Sequence, residues 1–209
     1  AEKKVRHRIF IAINLPEGVK SALFSYQMKW PELPVKWTKK HNLHITLAFL
    51  GYLREEEITS ILKIVKEAVL KQESFFINLK KVCYGPTDKK PDTETGSLSG
   101  RPDRNRPPRM IWVEGQSSKE LGELQKKLDD ALSGLSSELK NDKNRAYTPH
   151  ITLGRLKQWE FRAIEPEERP EINEEIDLSF EVSCVDIMES RSKRSGSEYT
   201  ILESVYLSK

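Results

Sequence analysis

Apolar and polar positions along this chain follow two periods, and the places where the period changes mark its elements. An apolar run from Ile9 to Leu15, closed by Pro16, predicts a strand; Glu17 to Lys29 then sets Val19, Ala22, Leu23 and Tyr26 on one side of a helix. Val35 to Thr38 predicts a strand feeding the β-branched run Leu43 to Leu50. After Gly51 the acids Glu55, Glu56 and Glu57 suit a helix N-terminus, and Ile58, Ile61, Leu62, Val65 and Val69 give that helix an apolar face. Phe75 to Tyr84 and Met110 to Val113 predict strands, and Ser117 to Leu132 a helix carrying Leu121, Leu124, Leu128 and Leu132. Phe180 to Met188 and Tyr199 to Leu207 predict a hairpin joined by the basic loop Arg191 to Gly196.

Two segments break the pattern. Residues 86–108 hold five prolines, nine charged residues and one aliphatic side chain, Leu98, too little apolar surface to offset ordering, so a disordered insertion is expected. The acidic, proline-punctuated stretch Lys157 to Asp177 predicts a surface connection anchored by Trp159, Phe161 and Ile164.

Within the strands one tetrapeptide recurs. His-Ile-Thr-Leu stands at His44 to Leu47 and again at His150 to Leu153, using two of only four histidines. Chance would produce such a match on the order of once in a thousand sequences of this kind, so internal repetition is the better reading. On a strand, side chains alternate faces: His44 and Thr46 point one way, with Ile45 and Leu47 opposite, and His150 and Thr152 repeat this against Ile151 and Leu153. If two duplicated halves pack about a pseudo-twofold axis, two imidazoles and two hydroxyls converge on one cleft.

Composition narrows the setting. At 209 residues, 37% hydrophobic and 32% charged, the chain suits one sizeable core or two small lobes sharing an interface, and a soluble globular protein is expected. No apolar stretch approaches the ~20 residues of a membrane span, and the first residues carry charge without an apolar h-region, so no membrane association and a cytoplasmic location are expected. Cys83 and Cys184 lack metal-ligand spacing and read as reduced thiols. A net charge of +3 permits a polyanionic partner without arguing for one.

The repeated motif and its flanks resemble the 2H phosphoesterase superfamily, and within it the RNA 2′,3′-cyclic phosphodiesterases, historically called 2′-5′ RNA ligases. The resemblance is carried by Arg8 to Ile13, Asn42-Leu43-His44, Phe49-Leu50-Gly51, Met110 to Val113, Tyr147-Thr148-Pro149-His150, Arg155 and Glu189-Ser190-Arg191. It implies an α+β fold of two pseudo-symmetric lobes forming one domain over 1–209, with two antiparallel sheets facing a central cleft and helices outside. It also implies RNA or an oligonucleotide with a 2′,3′-cyclic phosphate end as substrate, a monomer, and no cofactor or metal.

The chemistry suits these residue types. Opening a cyclic phosphate requires a water deprotonated on one side of phosphorus and a ribose oxygen protonated on the other, and histidine alone does both near neutrality without a large pKa shift. By family analogy His44 protonates the leaving O3′ and His150 activates water, leaving a 2′-phosphate. Thr46 and Thr152 would donate hydrogen bonds to the non-bridging oxygens and Arg155 would add a fixed charge. Alternatives are 2′-5′ joining of RNA ends at the same site and a non-catalytic RNA-binding module.

Several residues keep two readings. Strict alternation points Arg155 away from His150; Gly154 permits a bend that turns it inward, and the resemblance favours this. At the matching position Phe49 is expected to pack in the core. Tyr147 and Trp37 either stack on a nucleobase or pack beside their strands. Arg191, Lys193 and Arg194 either steer RNA or sit solvated. His41 and His44, three apart on a strand, would face opposite ways and do not suit a shared metal.

Overall fold

A computed structural model describes residues 5–86, 107–135 and 147–209. The expected insertion falls, from 87 to 106, outside these residues. In chain order the elements are β1 (His7–Asn14), α1 (Glu17–Tyr26), β2 (Val35–Trp37), β3 (His44–Leu53), α2 (Glu55–Val69), β4 (Phe75–Gly85), β5 (Met110–Gly115), α3 (Lys119–Leu132), β6 (His150–Leu156), α4 (Gln158–Arg162), β7 (Asn173–Val182), β8 (Cys184–Lys193) and β9 (Gly196–Tyr206).

The strands lie in the order β7-β4-β5-β6-β3-β1-β8-β9, all antiparallel, with β2 added to β6. This order divides into two four-stranded halves that meet between the motif strands β3 and β6. Their junction is a single residue pair, Ile45 opposite Ile151. Past Ile151 the free edge of β6 is taken by β2, which pairs Val35, Lys36 and Trp37 with Leu156, Arg155 and Gly154. The halves therefore part immediately beside the two histidines, and the cleft opens there. The fold is the α+β arrangement expected, its two antiparallel halves joined through the β3–β6 pair into one continuous sheet.

The alternation of the motif strands sends Ile45, Leu47, Ile151 and Leu153 into a continuous core, each 5% exposed or less. Ile9, Ile11 and Ile13 of β1 join them. The helices lay apolar stripes against this core: Val19 and Leu23 from α1, Ile61, Val65 and Val69 from α2, and four leucines from α3. The starts of α2 and α3 are satisfied locally. Ser118 Oγ accepts from Leu121 N at 3.2 Å, and Glu57 Oε2 accepts from Arg54 N at 2.7 Å, each supplying an orphan amide with a partner. Among the described residues no helix is long and apolar enough to cross a membrane.

Three expectations need correction. The run Phe180 to Met188 is two strands, not one: Phe180 to Val182 ends β7 in one half, and Cys184 begins β8 in the other, with the break at Ser183. A continuous apolar pattern hides a crossing between the halves of the sheet, because both pieces are half-buried strands of the same period. The basic loop shrinks to a tight turn, since β8 reaches Lys193 and β9 starts at Gly196. In the acidic connection Phe161 is fully buried as expected, but Trp159 is 90% exposed and anchors nothing. The short helix α4 can turn only one of the two aromatics inward.

Candidate active site

His44 opens β3 and His150 opens β6, one residue before the pair that joins the halves. Both line a cleft of about 640 Å³ together with Thr46, Thr152, Arg155, Phe10 and Tyr199. Each imidazole meets the backbone in the same way. Nδ1 of His44 lies 2.7 Å from the carbonyl oxygen of Asn42, and Nδ1 of His150 lies 3.5 Å from that of Thr148, in both cases two residues upstream. A carbonyl only accepts, so Nδ1 carries the proton and Nε2 is the nitrogen that changes protonation state. Nε2 of His44 is 2.9 Å from Thr46 Oγ1, whose hydroxyl donates to it when the ring is neutral.

The two rings have different surroundings. His44 packs between Phe10 and Tyr199, with ring centroids 5.1 and 5.2 Å away and the tyrosine edge-on. Burial here disfavours the imidazolium and lowers the pKa of His44 below the ordinary histidine value; the Asn42 carbonyl opposes this, while the charges of His150 and Lys20 add to it. His150 instead stacks on the indole of Trp112, with centroids 4.2 Å apart and planes 24° from parallel. That indole lies flat over Gly85, where a Cβ would fall 2.3 Å from Trp112 Cδ2.

A repeated irregularity decides which further side chains reach the cleft. Opposite β1, Ala12 pairs with Thr46 but Ile11 pairs with Ala48; opposite β5, Trp112 pairs with Thr152 but Ile111 pairs with Gly154. Each motif strand thus carries one extra residue just after its threonine. Such a bulge resets the alternation, so Leu47 and Ala48, like Leu153 and Gly154, are successive buried positions. The next residue then returns to the histidine face. In β6 that residue is Arg155, which enters the cleft wall as the resemblance favours, with Nη1 3.6 Å from Met110 Sδ. In β3 it is Phe49, 50% exposed and lining the cleft rather than packed in the core as expected.

Tyr147 does not line the cleft among the described residues. Its hydroxyl donates to the carbonyl of Thr46 at 2.5 Å, and burial raises its pKa. The aromatic before the second motif thereby grips the backbone of the first. Trp37 packs over Gly154, where a Cβ would fall 2.8 Å from the indole Cε3. In the β8–β9 hairpin Arg191 pairs with Glu189 at 3.0 Å and Lys193 with Glu198. His41 belongs to a 3₁₀ turn before β3 rather than to the strand.

Other contributors carry little signal in the sequence. Phe10 sits in the apolar run Ile9 to Ile13 of β1, and nothing in such a run separates a cleft face from a core face. Asn42, 6% exposed, donates from Nδ2 to Ser197 O at 2.8 Å and so ties the hairpin beside Tyr199 to the His44 motif. Buried Gln27 donates to Thr38 O at 2.8 Å and Leu153 O at 3.1 Å, bracing the second motif strand from the end of α1. A glutamine facing an apolar core is the signal that would have flagged it.

Comparison with known proteins agrees with this geometry. The family model for LigT like Phosphoesterase matches residues 13–93 and 111–199, segments that each contain one motif. The RNA 2′,3′-cyclic phosphodiesterase of Methanocaldococcus jannaschii is 28% identical over 197 residues, spanning 94% of this chain and 98% of that protein. The enzyme of the same name from Thermotoga maritima is 30% identical over 179 residues, spanning 81% and 82%. Among solved structures, TT0787 of Thermus thermophilus superposes with a TM-score of 0.73 at 26% identity, covering 96% of this chain and 97% of that one. E. coli LigT complexed with 3′-AMP has the same fold, with a TM-score of 0.71 at 22% identity over 98% of this chain and all of its own. With both motif strands inside the matched segments and the fold shared end to end, this chain belongs to the LigT-like phosphoesterase family.

Proposed function

We propose that this enzyme hydrolyses RNA 2′,3′-cyclic phosphate ends to 2′-phosphates, without metal, by paired-histidine acid and base catalysis. The observation that carries this reading is that two imidazoles, each tied through Nδ1 to a backbone carbonyl, share one cleft with two threonines and an arginine. The names of the relatives in Methanocaldococcus jannaschii and Thermotoga maritima support the substrate class.

In the forward reaction His150 takes a proton from water as its oxygen bonds phosphorus. The P–O3′ bond breaks and His44 gives its proton to O3′. Thr46, Thr152 and Arg155 hold the non-bridging oxygens, where charge grows in the transition state. His44 must begin protonated, and its aromatic surroundings oppose that in the free enzyme. A bound phosphate brings a negative charge to the ring and favours the imidazolium, so substrate binding itself arms the acid. The exposed ring of Phe49 gives a nucleobase a face to stack on. The paired bulges support reading residues 1–209 as one domain of two pseudo-symmetric lobes.

Incubation with an oligonucleotide ending in a 2′,3′-cyclic phosphate, with EDTA present and ATP absent, tests the reading. Its expected product carries a 2′-phosphate and a free 3′-hydroxyl. Retention of intact substrate would leave a binding module, and a 2′-5′-joined product would place ligation first.

A further inference from the structure

On the arginine side of the cleft the groups assigned to phosphate all face one sulfur. Met110, which pairs with Arg155 across β5 and β6, has its thioether 3.6 Å from Arg155 Nη1, 3.9 Å from Thr152 Oγ1 and 3.4 Å from Trp112 Nε1. A guanidinium, a hydroxyl and an indole N–H, all donors, thus converge on one of the weakest acceptors in a protein. The corresponding residue on the other lobe, Phe10 opposite Phe49, offers no acceptor. A weak acceptor suits a resting site: it orients Thr152 and Arg155 and yields them readily to a phosphate.

We infer that Met110 is an oxidation-sensitive modification site whose sulfoxide competes with substrate phosphate for Thr152 and Arg155. The step balances with a peroxide as oxidant: the sulfur donates an electron pair to one peroxide oxygen, the O–O bond breaks, and sulfoxide and water result. The added oxygen is a strong acceptor. Carried on a sulfur already within 4 Å of both donors, it reaches ordinary hydrogen-bond distance of them and fills the space they face. Met110 is half-buried and lines the cleft, within reach of a small oxidant, whereas Met188 is 4% exposed. The third methionine, Met28, is 69% exposed and lies on α1's outer continuation, away from the cleft lining, so it serves as an internal control for oxidation. The cysteines are poor competitors: Cys83 is buried, and burial beside Asp186 pushes the Cys184 thiol up to about 11, so it carries little reactive thiolate.

This inference rests on the reading that Thr152 and Arg155 hold phosphate, so its test measures binding apart from turnover. Wild-type protein and Met110→Leu are treated with hydrogen peroxide, oxygen uptake at each methionine is followed by peptide mass spectrometry, and affinity for adenosine 2′-monophosphate is measured by calorimetry. Wild type is expected to gain one oxygen at Met110 and lose about tenfold in affinity, the scale of one charge-assisted hydrogen bond. Methionine sulfoxide reductases A and B together should restore it. Met110→Leu should show the same affinity before and after treatment. The inference is overturned if Met110 is oxidised with affinity unchanged, if Met110 resists while Met28 converts fully, or if Met110→Leu loses as much affinity as wild type. Untreated protein that binds the nucleotide but turns over no cyclic phosphate counts against the hydrolase reading alone. Untreated protein that fails to bind it removes the phosphate assignment, and this inference with it.

Discussion

Tyr147, three residues before one motif histidine, donates its hydroxyl to the carbonyl of Thr46, two residues after the other, at 2.5 Å. This bond crosses between the two halves of the sheet beside the Ile45–Ile151 pair that joins β3 to β6, and it fixes the backbone that presents Thr46 beside His44.

Tyr147→Phe should therefore behave as a positioning variant. Removing the hydroxyl leaves a partly buried carbonyl without its donor, a cost of about 1–3 kcal/mol. For a chain of this size that lowers the melting temperature by roughly 2–4 °C per kcal/mol. A fall in kcat accompanied by that thermal shift is expected. A raised KM with unchanged melting would restore Tyr147 to a base-stacking role.

Because both proton transfers belong to one displacement, His44→Ala and His150→Ala should each cut turnover by about a hundredfold or more. The double variant should lose little beyond either single one. A single variant keeping more than about a tenth of wild-type turnover removes that histidine from acid or base duty.

The lowered pKa of His44 gives the pH profile a direction. As general acid His44 must be protonated, so kcat/KM, which reports the free enzyme, should decline with rising pH already below the ordinary histidine value. In the substrate complex the phosphate anion offsets the burial, and the alkaline limb of kcat should lie at higher pH than that of kcat/KM. Phe10→Ser, which opens one wall of the ring's surroundings, should move the kcat/KM limb upward. Coincident limbs in wild type would show that bound phosphate does not arm the acid, and an alkaline limb unmoved by Phe10→Ser would argue that His44 is not that acid.

Arg155→Lys should not be conservative. The guanidinium reaches the cleft from an exposed position after the β6 bulge, and its planar fork grips two phosphate oxygens where an ammonium offers one point charge. Turnover should fall by about tenfold with the melting temperature unchanged. Unaltered kinetics would place Arg155 in solvent.

How far the sequence reveals the site depends on which residues follow the strand period. His44, Thr46, His150 and Thr152 precede the bulges, so simple alternation puts them on one face. Phe49 and Arg155 follow the bulges, and an extra residue per strand reverses what strict alternation alone gives for both. Gly154 marks the irregularity in β6, while Ala48 at the same place in β3 carries no such mark, so the pattern alone sends Phe49 to the core. Ser183 is a comparable silent point: one polar residue between two half-buried strands sends the chain to the other half of the sheet. The aromatics around the histidines are hidden for a different reason. Phe10 and Tyr199 reach His44, and Trp112 reaches His150, only through the sheet, and the ring contacts join residues up to 189 positions apart.

The stack of Trp112 on His150 depends on the missing side chain at Gly85. A Cβ there would fall within 2.3 to 2.7 Å of three indole atoms, so alanine cannot be accommodated unless the ring moves, and that ring is stacked on the imidazole. Gly85→Ala should cost about 1–3 kcal/mol in stability, the range for overpacking a filled site. It should also reduce kcat by about tenfold, because a displaced indole no longer fixes the ring that activates water. The two effects separate with Trp112→Leu, which relieves the clash. In the Gly85→Ala background it should recover thermal stability without recovering turnover. Full kcat in Gly85→Ala, measured where the protein remains folded by circular dichroism, would show that the stacked indole does not position His150.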